Sequence, residues 1–262
     1  MRPLAQKSVL VTGSTSGIGL SIAQALAAAG ARVMLNGMGS PTEIERTRSA
    51  LAEETGSEIR FHGADVSQPA QVAALVADTE AAFGAVDILI NNAGVQFVSA
   101  VEDFPPEQWD RVRSIILDST FHATRAAIPG MRRRNWGRIL NLVSVHGLVA
   151  SPFKSAYVAA KHGQVGFTKT VALELAETGI TCNAICPGYV RTPLVDGQIE
   201  AQAATHGLSR DRVIREVILA AQPSKRFVTT EEVAALALFL CGEVARSITG
   251  AAIPIDGGWT AR

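Results

Sequence analysis

Seven short apolar runs punctuate the chain: SVLVT (8–12), ARVMLN (31–36), EIRFHGA (58–64), VDILIN (86–91), GRILNLVS (137–144), ITCNAIC (180–186) and AAIPID (251–256). Helical patterning separates them. A strand that is apolar at nearly every position has no face for water, so strands of this kind alternating with helices predict a parallel sheet covered on both sides. The expectation is a single α/β domain over residues 1–262, doubly wound, with about seven strands. Residues 194–222 carry helical stretches of weaker apolar periodicity, as expected of a small lid.

Ligands of such sheets lie beyond the carboxyl ends of the strands, and chemistry-bearing residues collect there. Asn36 ends the second strand, Asp65 follows the third, Asn92 and Gly94 the fourth, Ser144 closes the fifth, and Pro187 and Gly188 follow the sixth. Between the first strand and the pattern LSIAQALAAAG lies GSTSGIG, which puts Gly13, Gly17 and Gly19 in a strand-to-helix turn. Glycine there permits positive φ and close approach of a pyrophosphate, while free N–H groups at the helix start hold the phosphates. The spacing G-x-x-x-G-x-G differs from the commonest dinucleotide fingerprint but occupies the same position, predicting a Rossmann-type site.

Tyr157 and Lys161 in YVAAK lie four residues apart on one predicted helical face. A cation beside a phenol favours its ionised form, which makes a base of a tyrosine, and Ser144 supplies a hydroxyl for the same substrate oxygen. A snorkelling amine beside an aromatic ring is the ordinary alternative for such a pair.

The formal charge is zero and the pI about 7.0. Such a balance leaves no electrostatic footprint for nucleic acid or an anionic membrane. The Arg132, Arg133 and Arg134 run reads as a helix end complementing the dipole. With no signal peptide and no apolar stretch of membrane-spanning length, a cytoplasmic enzyme is expected. Cys182, Cys186 and Cys241 lack metal-ligand spacing and are expected as reduced core thiols, with no metal site.

TGSTSGIG (12–19), NNAG (91–94), Ser144, YVAAK (157–161) and PGYVRT (187–192) together resemble the short-chain dehydrogenase/reductase family over essentially the whole chain. Within it, LNGMG (35–39), GVQF (94–97), SVHGLVASPFKSAYVAAKHG (144–163), CPGYVRTPLV (186–195) and DGGWTAR (256–262) are similar to bacterial D-3-hydroxybutyrate dehydrogenases. The resemblance implies that Tyr157 takes the hydroxyl proton, Ser144 hydrogen-bonds the same oxygen, and Lys161 holds the nicotinamide ribose while lowering the Tyr157 pKa. It assigns cofactor contacts to Gly13, Thr15, Ser16, Gly17, Ile18, Gly19, Asn36, Asp65, Val66, Asn92, Ala93, Gly94, Pro187, Gly188, Val190 and Thr192. Neither Ser16 nor Asn36, Gly37 and Met38 offers a cation for a 2′-phosphate, so NAD is expected, its ribose held by Asn36 or backbone groups.

Gln96, His146, Lys154 and Gln198 are assigned to the carboxylate of a small 3-hydroxy or 3-keto acid. Tyr189 stands where related dehydrogenases usually carry Trp, leaving room for longer acids. A homotetramer is implied, with a dimer left open. One departure is Ile116, which falls on the family's catalytic Asn. It supplies neither the expected helix kink nor the hydrogen bond to a water behind Lys161; Ser119 or a backbone carbonyl are the substitutes considered. Two other readings stay open: a 3-oxoacyl-carrier-protein reductase, and a non-catalytic NAD-binding scaffold.

Overall fold

A computed structural model describes residues 2–191, 195, 199 and 208–261. The seven expected strands are β1 (Ser8–Val11), β2 (Arg32–Asn36), β3 (Ile59–His62), β4 (Ile88–Asn91), β5 (Gly137–Leu142), β6 (Ile180–Pro187) and β7 (Ala252–Ile255). All neighbours pair in parallel, in the order β3-β2-β1-β4-β5-β6-β7. The order reverses between β1 and β4, which opens a crevice at their carboxyl ends.

Helices α1 (Gly17–Ala28), α2 (Pro41–Thr55), α3 (Pro69–Phe83), α4 (Pro106–Arg113), α5 (Ser119–Arg134), α6 (Ser155–Glu174) and α7 (Thr230–Cys241) cover the sheet. Alternation along β1 shows why its strand is apolar throughout. Val9 and Val11 pack with Ile22 and Leu26 of α1 and Val233 and Leu240 of α7. Leu10 points to the other layer, with Leu75 of α3, Met131 of α5 and Val171 of α6. Each such fully buried side chain contributes about 1.5–3 kcal/mol by leaving water.

Local sequence sets the helix ends. Pro41 and Pro69 open α2 and α3, and Gly56 and Gly84 close them at positive φ. A reciprocal capping box, Thr229 with Glu232, starts α7. The arginine run closes α5, as expected, and two of its members are fixed: Arg132 donates to the Glu174 carbonyl, while Arg134 donates to the Val86 carbonyl and pairs with Asp87 at 3.3 Å. Cys182, Cys186 and Cys241 are buried, and burial raises their thiols to about 12, 11 and 12 respectively.

Between α4 and α5 the helix passes through a π-helical segment, Ser114–Asp118, with Ile116 inside it. The helix is therefore distorted at this position without an Asn side chain. Within the expected lid, Val195, Ile199, Val213, Ile218 and Leu219 form a small apolar cluster of their own, with Tyr189 and Phe227 against it. Among the described residues no helix is long and apolar enough to cross a membrane, and no His, Cys, Asp and Glu cluster could hold a metal.

Candidate active site

The glycine turn is shaped by its neighbours. Gly13 and Gly17 adopt φ of +62° and +57°, a region costly for side-chain-bearing residues. A Cβ on Gly19 would lie 2.4 Å from the Gly13 carbonyl oxygen and 2.5 Å from Asn92 Nδ2, so no other residue fits. Asn92 Nδ2 donates to the carbonyls of Thr12 and Gly13 at 3.0 and 2.8 Å, and Thr12 Oγ1 accepts the N–H groups of Asn92 and Ala93 at 3.0 and 3.1 Å. The NNAG segment thus braces the turn from the adjacent strand.

A cleft of about 690 Å³ runs along this turn, lined by Gly13, Ser16, Ile18, Gly19, Asn36, Gly37, Met38, Asp65, Val66, Asn92, Ala93, Gly94 and Arg111. Its chemistry suits a dinucleotide. Ser16, the residue before α1, makes no side-chain cap and the first turn holds no acid, so the leading N–H groups and the positive end of the helix dipole face the cleft. Asn36 is less available than expected. Its Nδ2 donates to the His62 and Ala64 carbonyls at 3.0 and 2.9 Å, and its Oδ1 accepts Gly13 N–H at 3.4 Å. It ties β2 to the glycine turn and to the chain after β3.

A second cleft, of about 410 Å³, adjoins the first and is lined by Ile18, Gln96, Ser144, His146, Lys154, Tyr157, Pro187, Gly188, Tyr189, Val190 and Trp259, among others. Helix α6 delivers Tyr157 and Lys161 on one face, with Lys161 Nζ 5.7 Å from the Tyr157 ring centroid. Ser144 ends the run of β5 and hydrogen-bonds the phenol, the expected juxtaposition. Thr15, assigned to the cofactor, packs against Gly37, where a Cβ would meet its hydroxyl at 2.8 Å. Thr192 and Gln198 lie outside the described residues.

Burial sets the electrostatics of this cleft. Burial pushes the Tyr157 phenol above its ordinary value, opposed by the Ser144 hydrogen bond. Lys161 is itself pulled down to about 7 by burial, with Cys186 acting in the opposite direction. Burial first, then Lys154 and His162, lower His146 to about 4, leaving a neutral ring at neutral pH, so any contact it makes with a carboxylate is a hydrogen bond and not an ion pair. Its Nδ1 lies 3.4 Å from Ser144 Oγ and its Nε2 2.8 Å from Ser151 Oγ. It orients the serine.

Lys154 remains as the charged group of this cleft. Half-buried above the Tyr189 ring at 5.9 Å, it is lowered by burial alone, and among the described residues no carboxylate pairs with it. Sequence reasoning missed Trp259. The Asp256 carboxylate accepts the N–H groups of Gly258 and Thr260 and the Thr260 hydroxyl, which folds DGGWT into a turn that presents the indole. The ring stacks on Tyr189 at 5.6 Å and meets His146 edge-on at 5.5 Å. The added space expected beside Tyr189 is thus bounded by Trp259.

Comparison with known proteins agrees with this geometry. Residues 13–260 match the family model described as enoyl-(acyl carrier protein) reductase. A D-beta-hydroxybutyrate dehydrogenase of Rhizobium meliloti is 56% identical over 256 residues, covering 98% of this chain and 99% of that protein. A second, from Cupriavidus necator, is 53% identical over 257 residues and 98% of each chain. In structure, the chain is similar to a variant of actinorhodin polyketide ketoreductase solved with NADPH, with TM-score 0.90, 37% identity and 98% of both chains covered.

Proposed function

Because the chain belongs to the short-chain dehydrogenase/reductase family, whose members use a nicotinamide cofactor, we propose that it is an NAD-dependent dehydrogenase oxidising D-3-hydroxybutyrate to acetoacetate, reversibly. The observation that carries this reading is Lys154, a half-buried ammonium with no carboxylate partner among the described residues, lining the same cleft as Ser144 and Tyr157. An ammonium in that position favours a substrate that brings its own anion.

The residues divide the work as follows. Tyr157 Oη removes the proton of the C3 hydroxyl, and Ser144 Oγ, oriented by His146, donates a hydrogen bond to the same oxygen. NAD, when bound, supplies the hydride acceptor. Lys161 keeps a positive charge near the phenol, Lys154 and Gln96 face the carboxylate, and Tyr189 with Trp259 walls the short carbon chain. NAD is preferred to NADP because Asn36, Gly37 and Met38 offer no cation after β2 and the Asp65 carboxylate opposes a phosphate; Arg111 reaches the cleft from α4. The reading includes a cytoplasmic homotetramer, supported by apolar surface left exposed at Phe121 on α5 and Leu173 on α6.

A substrate comparison tests it. Turnover of 3-hydroxybutyrate far above that of 2-butanol, which keeps the carbinol and lacks the carboxylate, supports the reading; equal turnover overturns it.

A further inference from the structure

Behind Lys161 the structure holds a closed arrangement of hydrogen bonds. Its Nζ donates to the Leu142 carbonyl at 2.6 Å and to Gln164 Oε1 at 3.0 Å. Gln164, one helical turn along the same face, then donates through Nε2 to the Thr120 hydroxyl at 2.7 Å and to the Ile116 carbonyl at 3.2 Å. Thr120 Oγ1 donates in turn to the Ile116 carbonyl at 2.8 Å. Lys161, Gln164 and Thr120 are all at most 3% exposed.

The orientation of the Gln164 amide follows from chemistry. An ammonium offers only donors and a carbonyl only acceptors, so the oxygen must face Lys161 and the nitrogen must face Ile116. The negative end of the amide dipole thereby sits on the buried cation. Ile116 has its side chain in an apolar cluster with Ala156, Ala160 and Tyr157, so it meets this arrangement through its backbone carbonyl, inside the π-helical segment. Ser119 takes no part, its hydroxyl donating to the Ile115 carbonyl at 2.6 Å.

We infer that Gln164 is a positioning residue for catalysis: anchored on the Ile116 carbonyl and Thr120, it holds the Lys161 ammonium charged and fixed beneath Tyr157. The role rests on the dehydrogenase reading given above. Two of the three Lys161 donors are engaged, which leaves one for the cleft. Among the described residues the other titratable groups around the pair are Cys186 at the end of β6, with Asp256 acting on it from beyond β7, His146 after β5, Lys154 just before α6 and His162 on α6. From the α4–α5 side the facing groups are the Ile116 carbonyl and Thr120, with Arg111 in the dinucleotide cleft.

The chain has two tyrosines, so in a Tyr189→Phe background the ultraviolet phenolate signal reports Tyr157 alone. Gln164→Met keeps the side-chain length and removes both ends of the bridge. With Lys161 less readily charged, the Tyr157 titration and the acidic limb of kcat/KM should both move up by about one pH unit, an approximately tenfold loss at a pH below the limb. Thr120→Val should shift both in the same direction by less, and it replaces Gln164→Met should that variant fail to fold. A purely structural Gln164 would lower Tm while leaving titration and limb in register with the parent, and that result overturns the inference. If the parent does not oxidise 3-hydroxybutyrate, the substrate reading fails by itself, and the phenolate titration still decides the role of Gln164.

Discussion

The His146 imidazole is engaged at both nitrogens, Nδ1 at 3.4 Å from Ser144 Oγ and Nε2 at 2.8 Å from Ser151 Oγ. Whichever tautomer is present, one nitrogen donates and the other accepts, so the ring fixes the rotamer of the serine that must meet the substrate oxygen. A group lowered to about 4 is already neutral above that pH and gains a proton only below it. His146→Asn should therefore lower kcat about tenfold without moving the acidic limb of the pH profile. Displacement of the limb would show that His146 titrates during turnover.

Tyr157→Phe removes the proposed base while preserving the ring packed against Ile116 and Ala160. Turnover should fall about a thousandfold. Binding of NAD, followed by quenching of tryptophan fluorescence, should stay within about twofold, because the glycine turn lies on other elements. Substantial residual turnover would assign the base elsewhere.

Lys154→Met separates substrate charge from chemistry. Loss of a charge-assisted contact costs about 1.5–3 kcal/mol, or about 10- to 100-fold in kcat/KM for 3-hydroxybutyrate. Oxidation of an uncharged secondary alcohol should be unaffected or improved. Parallel losses on both substrates would mean that Lys154 supports the site structurally.

Met38 is 73% exposed at the mouth of the dinucleotide cleft, just after β2. Met38→Arg places a guanidinium where a 2′-phosphate would lie. The kcat/KM for NADP should rise about tenfold with little change for NAD; no gain would show that the phosphate end of the site lies elsewhere.

How far the sequence carried the structure depends on the range over which each feature is set. Strand positions, the glycine turn and the Tyr157–Lys161 face follow from spacing within a few residues, and all appear where expected. Features set by the docking of distant elements were not legible. Gln164 shares the Lys161 face at i+3, a visible signal, but its meaning depends on how α6 meets the Ile116 carbonyl across 48 residues of chain. Trp259 enters the substrate cleft only because the Asp256 turn folds back over Tyr189. His146 and Asn36 line the clefts expected of them, but the hydrogen bonds of their polar atoms to Ser144 and Ser151 and to the carbonyls of His62 and Ala64 depend on the packed site and could not be read from spacing. Burial of Tyr157, which outweighs its hydrogen bond to Ser144, is likewise a property of the packed site and not of the i, i+4 spacing.

The central claim is tested most directly by mixing the protein with NAD and D-3-hydroxybutyrate and following NADH absorbance. The account predicts sustained NADH formation, with kcat/KM about a hundredfold or more above that for the L enantiomer or for NADP in place of NAD. Absence of turnover with this pair, together with NADPH-dependent reduction of a 3-oxoacyl thioester, would contradict it.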